Sequence, residues 1–122
     1  MLAATYSPLG GGLLTGKYSS GSGGRLTENV KYGIRYGEKW MYEAAASLNK
    51  LAHEENVHPA SLAIAWVIHH STKPRPIISA KSIEQLEPSI LGTELKLSDF
   101  LYEMLSKLTP KPAPATDRLE EA

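Results

Sequence analysis

Tyr6-Ser7-Pro8-Leu9-Gly10-Gly11-Gly12-Leu13-Leu14-Thr15-Gly16-Lys17-Tyr18 sets three glycines in a row and closes on a lysine and a tyrosine. Gly11, Gly16 and Lys17 satisfy the P-loop spacing G-x-x-x-x-G-K, but Tyr18 stands where Ser or Thr should hold magnesium. A P-loop also runs straight into a helix whose free N–H groups help bind the phosphates. Here Lys17 leads instead to Ser19-Ser20-Gly21-Ser22-Gly23-Gly24, a flexible loop by composition. The dinucleotide fingerprint fares no better: Gly10 and Gly12 give G-x-G, Thr15 replaces the third glycine, and the following helix is again missing. What the run does offer is a backbone free to take positive φ and to approach a ligand closely.

Working outward, Leu2 to Tyr6 is a short apolar stretch stopped by Pro8, readable as a strand. A helix is expected from about Glu38 to Asn56, because Met41, Ala44, Ala45, Leu48, Leu51 and Ala52 form one apolar stripe. A second helix starts near Pro59, a residue suited to the first helical position. Its body, Leu62 to Ile68, is apolar nearly all round, as in a deeply packed helix. Pro76-Ile77-Ile78-Ser79-Ala80 reads as a buried strand. Ser82 and Gln85 then have capping-box spacing. Pro88 opposes a long helix there, so a short or bent one is expected to about Leu91, ended by Gly92. Ser98 caps a last helix with Leu101, Met104, Leu105 and Leu108 on its apolar side. From Thr109 the Pro-rich, charged tail is expected to be disordered. Strands alternating with helices indicate an α/β fold with a parallel sheet.

The 122 residues suffice for one domain with a modest core. Thirteen basic side chains balance thirteen acidic ones, so no large field favours nucleic acid or an anionic membrane. With no cysteine, disulfides, thiolate nucleophiles and Cys-ligated metal are excluded, a composition that suits a cytoplasmic enzyme. His53, His58, His69 and His70 have no metal-ligand spacing; His69 and His70 fit compensation of a helix C-terminus. No apolar run approaches the roughly 18 residues of a membrane span. The N-terminus lacks the basic and long apolar regions of a signal peptide.

The opening block resembles the seventh barrel strand and loop of the aldo-keto reductases, whose pattern Y-S-P-L-x-x-G-L-L-T-G-K-Y is matched throughout. Pro59 to Trp66 resembles that family's P-x-x-L-A-x-A-W helix. Ile77 to Ser89 resembles its eighth strand and following helix, usually I-P-G-A-x-x-x-x-Q-L-x-x-N. The resemblance implies the C-terminal part of a (β/α)8 TIM barrel over residues 1–108, incomplete in this chain, and an oxidoreductase using NADP(H).

The same resemblance places Tyr6, Ser7, Pro8, Leu9, Gly10 and Gly11 beside the pyrophosphate and nicotinamide, with Tyr6 stacking on the ring. Lys17 would approach the pyrophosphate, and Arg25 would close over the cofactor. Lys81, Ser82 and Gln85 would hold the 2′-phosphate and adenine. A helix opening after Ala80 presents free N–H groups and a partial positive charge, and Lys81 adds a full one. The pattern is departed from at Ser79, which replaces a glycine, at Ser89, which replaces an adenine-contacting Asn, and at Pro88. Without the resemblance, Ser82 and Gln85 are equally a simple capping box, Lys81 a solvated lysine, and Tyr6 and Trp66 core aromatics.

Family members reduce carbonyls with a Tyr, Lys, Asp and His from the first half of the barrel. No residue here falls in those motifs, so no catalytic residue is assigned. A whole barrel takes roughly 250 residues; two strands with open edges favour self-association or pairing with another chain. Two functions follow. The chain is the cofactor-holding part of a reductase whose missing half supplies the carbonyl site, or a non-catalytic remnant that binds nucleotide or protein.

Overall fold

The computed structural model describes residues 2–17 and 30–110. Among them lie two short strands, β1 (Ala4–Thr5) and β2 (Arg75–Pro76), and five α-helices. The helices are α1 (Val30–Arg35), α2 (Lys39–Glu54), α3 (Pro59–His69), α4 (Ile83–Glu94) and α5 (Asp99–Ser106). A tight 3-10 winding spans Gly10–Thr15 after β1.

The strands pair in parallel, with Ala4 opposite Arg75 and Thr5 opposite Pro76. Arg75 N donates to Ala3 O at 2.9 Å and Ile77 N to Thr5 O at 2.7 Å. Pro76 sits between these two donors, so its missing N–H falls on the far edge and the ladder loses nothing. The expected strand Pro76–Ala80 is therefore displaced. Pairing covers Arg75–Pro76 only, and Ile77 is 58% exposed rather than buried. Among the described residues β2 has β1 as its one neighbour, and the chain then turns towards the cap at Ser82.

The core lies among the helices. Leu48, Leu51 and Ala52 of α2 meet Leu62, Ala63 and Ala65 of α3, joined by Leu97 and Leu105. The stripe read from the sequence supplies this face of α2, where Ala44, Leu48, Leu51 and Ala52 are buried. Residues Ala60 to Ala65 of α3 are buried on every side, consistent with their unbroken apolar run. Trp66 is only partly buried; it stacks on Tyr102 of α5 with centroids 6.0 Å apart. Its indole donates to Ser106 Oγ at 2.9 Å.

Two expectations about α4 are corrected. The helix passes through Pro88 and continues to Glu94, and Gly92 lies inside it. Pro88 forfeits one backbone bond, but its carbonyl accepts from Ser61 Oγ on α3 at 2.5 Å. Gly92 is buried and fits flush on α3: a Cβ there would lie 2.7 Å from Ser61 O and 2.8 Å from Ile64 Cβ. Glycine at this position permits close helix packing and does not end the helix. In α5, Leu101 and Leu105, with Leu108 just beyond the helix, face the core as expected, Met104 is 38% exposed, and Tyr102 joins the apolar side through its ring contacts. Helix α1 was not expected; its apolar Val30 and Ile34 are exposed. The proposed loop Ser19–Gly24 and most of the tail beyond Thr109 lie outside the described residues.

Candidate functional site

After β1 the chain makes a sharp reversal that only glycine tolerates in succession. Gly10, Gly11 and Gly12 take φ of 59°, 67° and 97°, the left-handed region closed to most side chains. Thr15 Oγ1 ties the turn by donating to Gly12 O at 2.7 Å. The reversal brings Lys17 back to the same side as Tyr6 to Leu9, where all five line one cleft.

The opposite wall comes from the segment after β2. Ser79, Ala80, Lys81, Glu84 and Gln85 line the same cleft, whose volume is about 1030 Å³. Ser82 caps α4, its Oγ accepting from Gln85 N at 3.3 Å. Gln85 Oε1 does not return to the cap residue, as in a strict capping box, but accepts from Lys81 N at 3.0 Å. Ser82, Ile83 and Glu84 keep backbone N–H groups without a partner among the described residues. These donors, the helix dipole and Lys81 suit an anion.

A third part of the wall was not anticipated. His58 and Asn49 also line the cleft. His58 is the N-cap of α3, its Nδ1 accepting from Ala60 N at 3.0 Å. That bond needs an unprotonated Nδ1, and partial burial lowers the His58 pKa below its ordinary 6.5. The signal for His58 was its place directly before Pro59 and an apolar run. Asn49 of α2 lies beside Gly16, off the apolar stripe, where no sequence signal marks it.

The residues singled out from sequence thus divide. Tyr6, Ser7, Pro8, Leu9, Gly11, Lys17, Ser79, Lys81 and Gln85 share the cleft. Gly10 and Ser82 shape its two walls without lining it. Ser89 is 1% exposed, one turn before Gly92, and does not reach the cleft. Its small side chain is instead buried in the interior. Arg25 lies outside the described residues. Tyr6 is 67% exposed and so is not a core aromatic.

The aldo/keto reductase family model matches residues 2–109. The chain belongs to the aldo/keto reductase family. It is 31% identical over 111 residues to the uncharacterized oxidoreductase YrpG of Bacillus subtilis, covering 91% of this chain and 33% of that protein. It is 31% identical over 97 residues to the aldo-keto reductase yakc [NADP(+)] of Schizosaccharomyces pombe, covering 77% and 28%. Protein tas of Escherichia coli is 30% identical over 115 residues, covering 89% and 33%. The chain therefore spans about a third of the length of these curated relatives. Among the described residues of this family member, no helix is long and apolar enough to cross a membrane.

Proposed function

We propose that this chain is the NADP(H)-holding, C-terminal part of an aldo-keto reductase barrel, with β1 and β2 as its seventh and eighth strands, and that it does not perform the reduction alone. The observation that carries this reading is the single cleft formed by two segments about seventy residues apart in sequence. A cofactor fits this cleft by its chemistry. Its volume is at the upper end of the roughly 300–1,000 Å³ of small-molecule sites. Its walls pair Lys17 and Lys81 with a glycine-rich backbone and an open helix N-terminus.

In this reading Tyr6 to Leu9 hold the nicotinamide half, and the exposed Tyr6 ring offers a stacking face. Lys17 faces the pyrophosphate. Lys81 and the free N–H groups of Ser82 to Glu84 hold the 2′-phosphate, and the Gln85 amide, anchored through Oε1, keeps its NH2 for adenine. Bound NADPH supplies the hydride that reduces a carbonyl carbon. The acid that protonates the carbonyl oxygen is not among the residues assigned here, so an aldehyde or ketone is reduced only when the catalytic half is present.

The test is twofold. NADPH should bind the purified chain, measured by quenching or enhancement of cofactor fluorescence. NADPH oxidation with a panel of aldehydes and quinones should not exceed a heat-treated control. Protein-dependent turnover would contradict the division of labour, and absence of binding would contradict the cleft assignment.

A further inference from the structure

The first turn of α4 holds two opposite charges on one cleft wall. Lys81 precedes the cap, Glu84 is the acidic residue of the turn, and both line the cleft. Among the described residues neither side chain makes an ion pair or hydrogen bond, so they do not neutralise each other. The carboxylate has little reason to turn away. Glu84 also borders a second groove, but Glu87 and Glu94 line that groove too, and like-charge repulsion there favours the cleft side.

A ribose 2′-phosphate seated on Lys81 and the N–H groups of Ser82 to Glu84 lies within one helical turn of this carboxylate. Glu84 also draws on the same helix dipole that would hold the phosphate. A ribose carrying a free 2′-hydroxyl presents the reverse case, because its O–H can donate to the carboxylate. Lys81 thus reads for the phosphate and Glu84 against it.

Resting on the cofactor assignment above, we infer that Glu84 is a specificity-determining residue that opposes Lys81 and narrows the preference for NADPH over NADH. The cleft then admits both cofactors instead of rejecting the one without a 2′-phosphate.

The experiment titrates the full 122-residue chain calorimetrically with adenosine 2′,5′-bisphosphate and with AMP, which differ only in the 2′-phosphate. Wild type should bind the bisphosphate more tightly. Glu84→Gln should tighten the bisphosphate roughly threefold to fivefold, the scale of an exposed charge interaction, and leave AMP unchanged or weaker. Glu84→Asp, which keeps the charge, should stay near wild type. A general disturbance of the helix would weaken both ligands together and so is separable from a change in their ratio. If wild type prefers the bisphosphate but Glu84→Gln leaves the ratio unchanged, the role of Glu84 is overturned while the cofactor assignment stands. If wild type does not distinguish the ligands, or binds neither, the phosphate assignment falls and this inference falls with it.

Discussion

The core between the helices is closed, whereas the strand side is open. Leu62 and Ile64 on α3 are 0% exposed, Leu62 in the core between helices and Ile64 against Gly92 of α4 at the base of the cleft. Leu2, Tyr6 and Ile77, which flank the two strands, are 59%, 67% and 58% exposed. The same degree of apolarity therefore has different energetic value in the two regions. Burying a large aliphatic side chain is worth about 1.5–3 kcal/mol, and one left in water contributes little. The open strand side adjoins the cleft, so the region that would contact the cofactor leaves its flanking apolar side chains uncovered.

The largest effects should come from the closed side. Ile64→Ala should destabilise the chain by about 2–5 kcal/mol, read from denaturant unfolding. Ile77→Ala should stay within about 0.5 kcal/mol. Equal costs would mean that the strand side is covered in solution. Gly92→Ala is expected to cost about 1–3 kcal/mol through overpacking. Helix propensity favours alanine by about 1 kcal/mol, but the nearest obstacle is the Ser61 carbonyl, which is backbone and cannot rotate away. A stabilised Gly92→Ala protein would show that α3 and α4 are not in this close contact.

An open strand edge with apolar flanks should self-associate. Sedimentation is expected to show concentration-dependent oligomers, shifted towards monomer by Ile77→Lys. Monodisperse wild-type monomer at all concentrations would contradict this.

These contrasts also mark what a sequence can reveal. Helices α2 and α3 were legible because their apolar positions obey a period that packing enforces, and Pro59 marks a start. The two walls of the cleft were legible as motifs, since glycines with positive φ and a capped helix each have few alternatives. Pro88 misled because a proline cost is local, whereas the carbonyl bond from Ser61, 27 residues away, is not. Gly92 misled for a related reason: the same residue type serves a helix end and a close helix crossing, and only the neighbour decides. Tyr102 joins the apolar side of α5 by stacking on Trp66 and meeting His69 at 4.7 Å, contacts that no single-helix pattern contains.

A smaller effect concerns pH. The folded pKa of His58 lies below its unfolded value, because partial burial disfavours the charged ring. Protonation is then easier in the unfolded chain. Its stabilising contribution should be complete above about pH 6.5 and be lost as pH falls through the lower folded pKa. His58→Ala should remove that dependence and, by loss of the N-cap, cost about 0.5–2 kcal/mol. An unchanged slope of stability against pH in His58→Ala would locate the dependence elsewhere.

The cofactor assignment rests most on Lys81, because the 2′-phosphate is the one anion present in NADPH and absent from NADH. Fluorescence titration of both cofactors against wild type and Lys81→Ala, in the chain completed by its catalytic half, addresses it directly. Loss of one charge-assisted contact costs roughly 1.5–3 kcal/mol, about one to two decades in affinity. NADPH should weaken by that amount in Lys81→Ala while NADH stays nearly unchanged; equal losses for the two cofactors would contradict phosphate recognition at the start of α4.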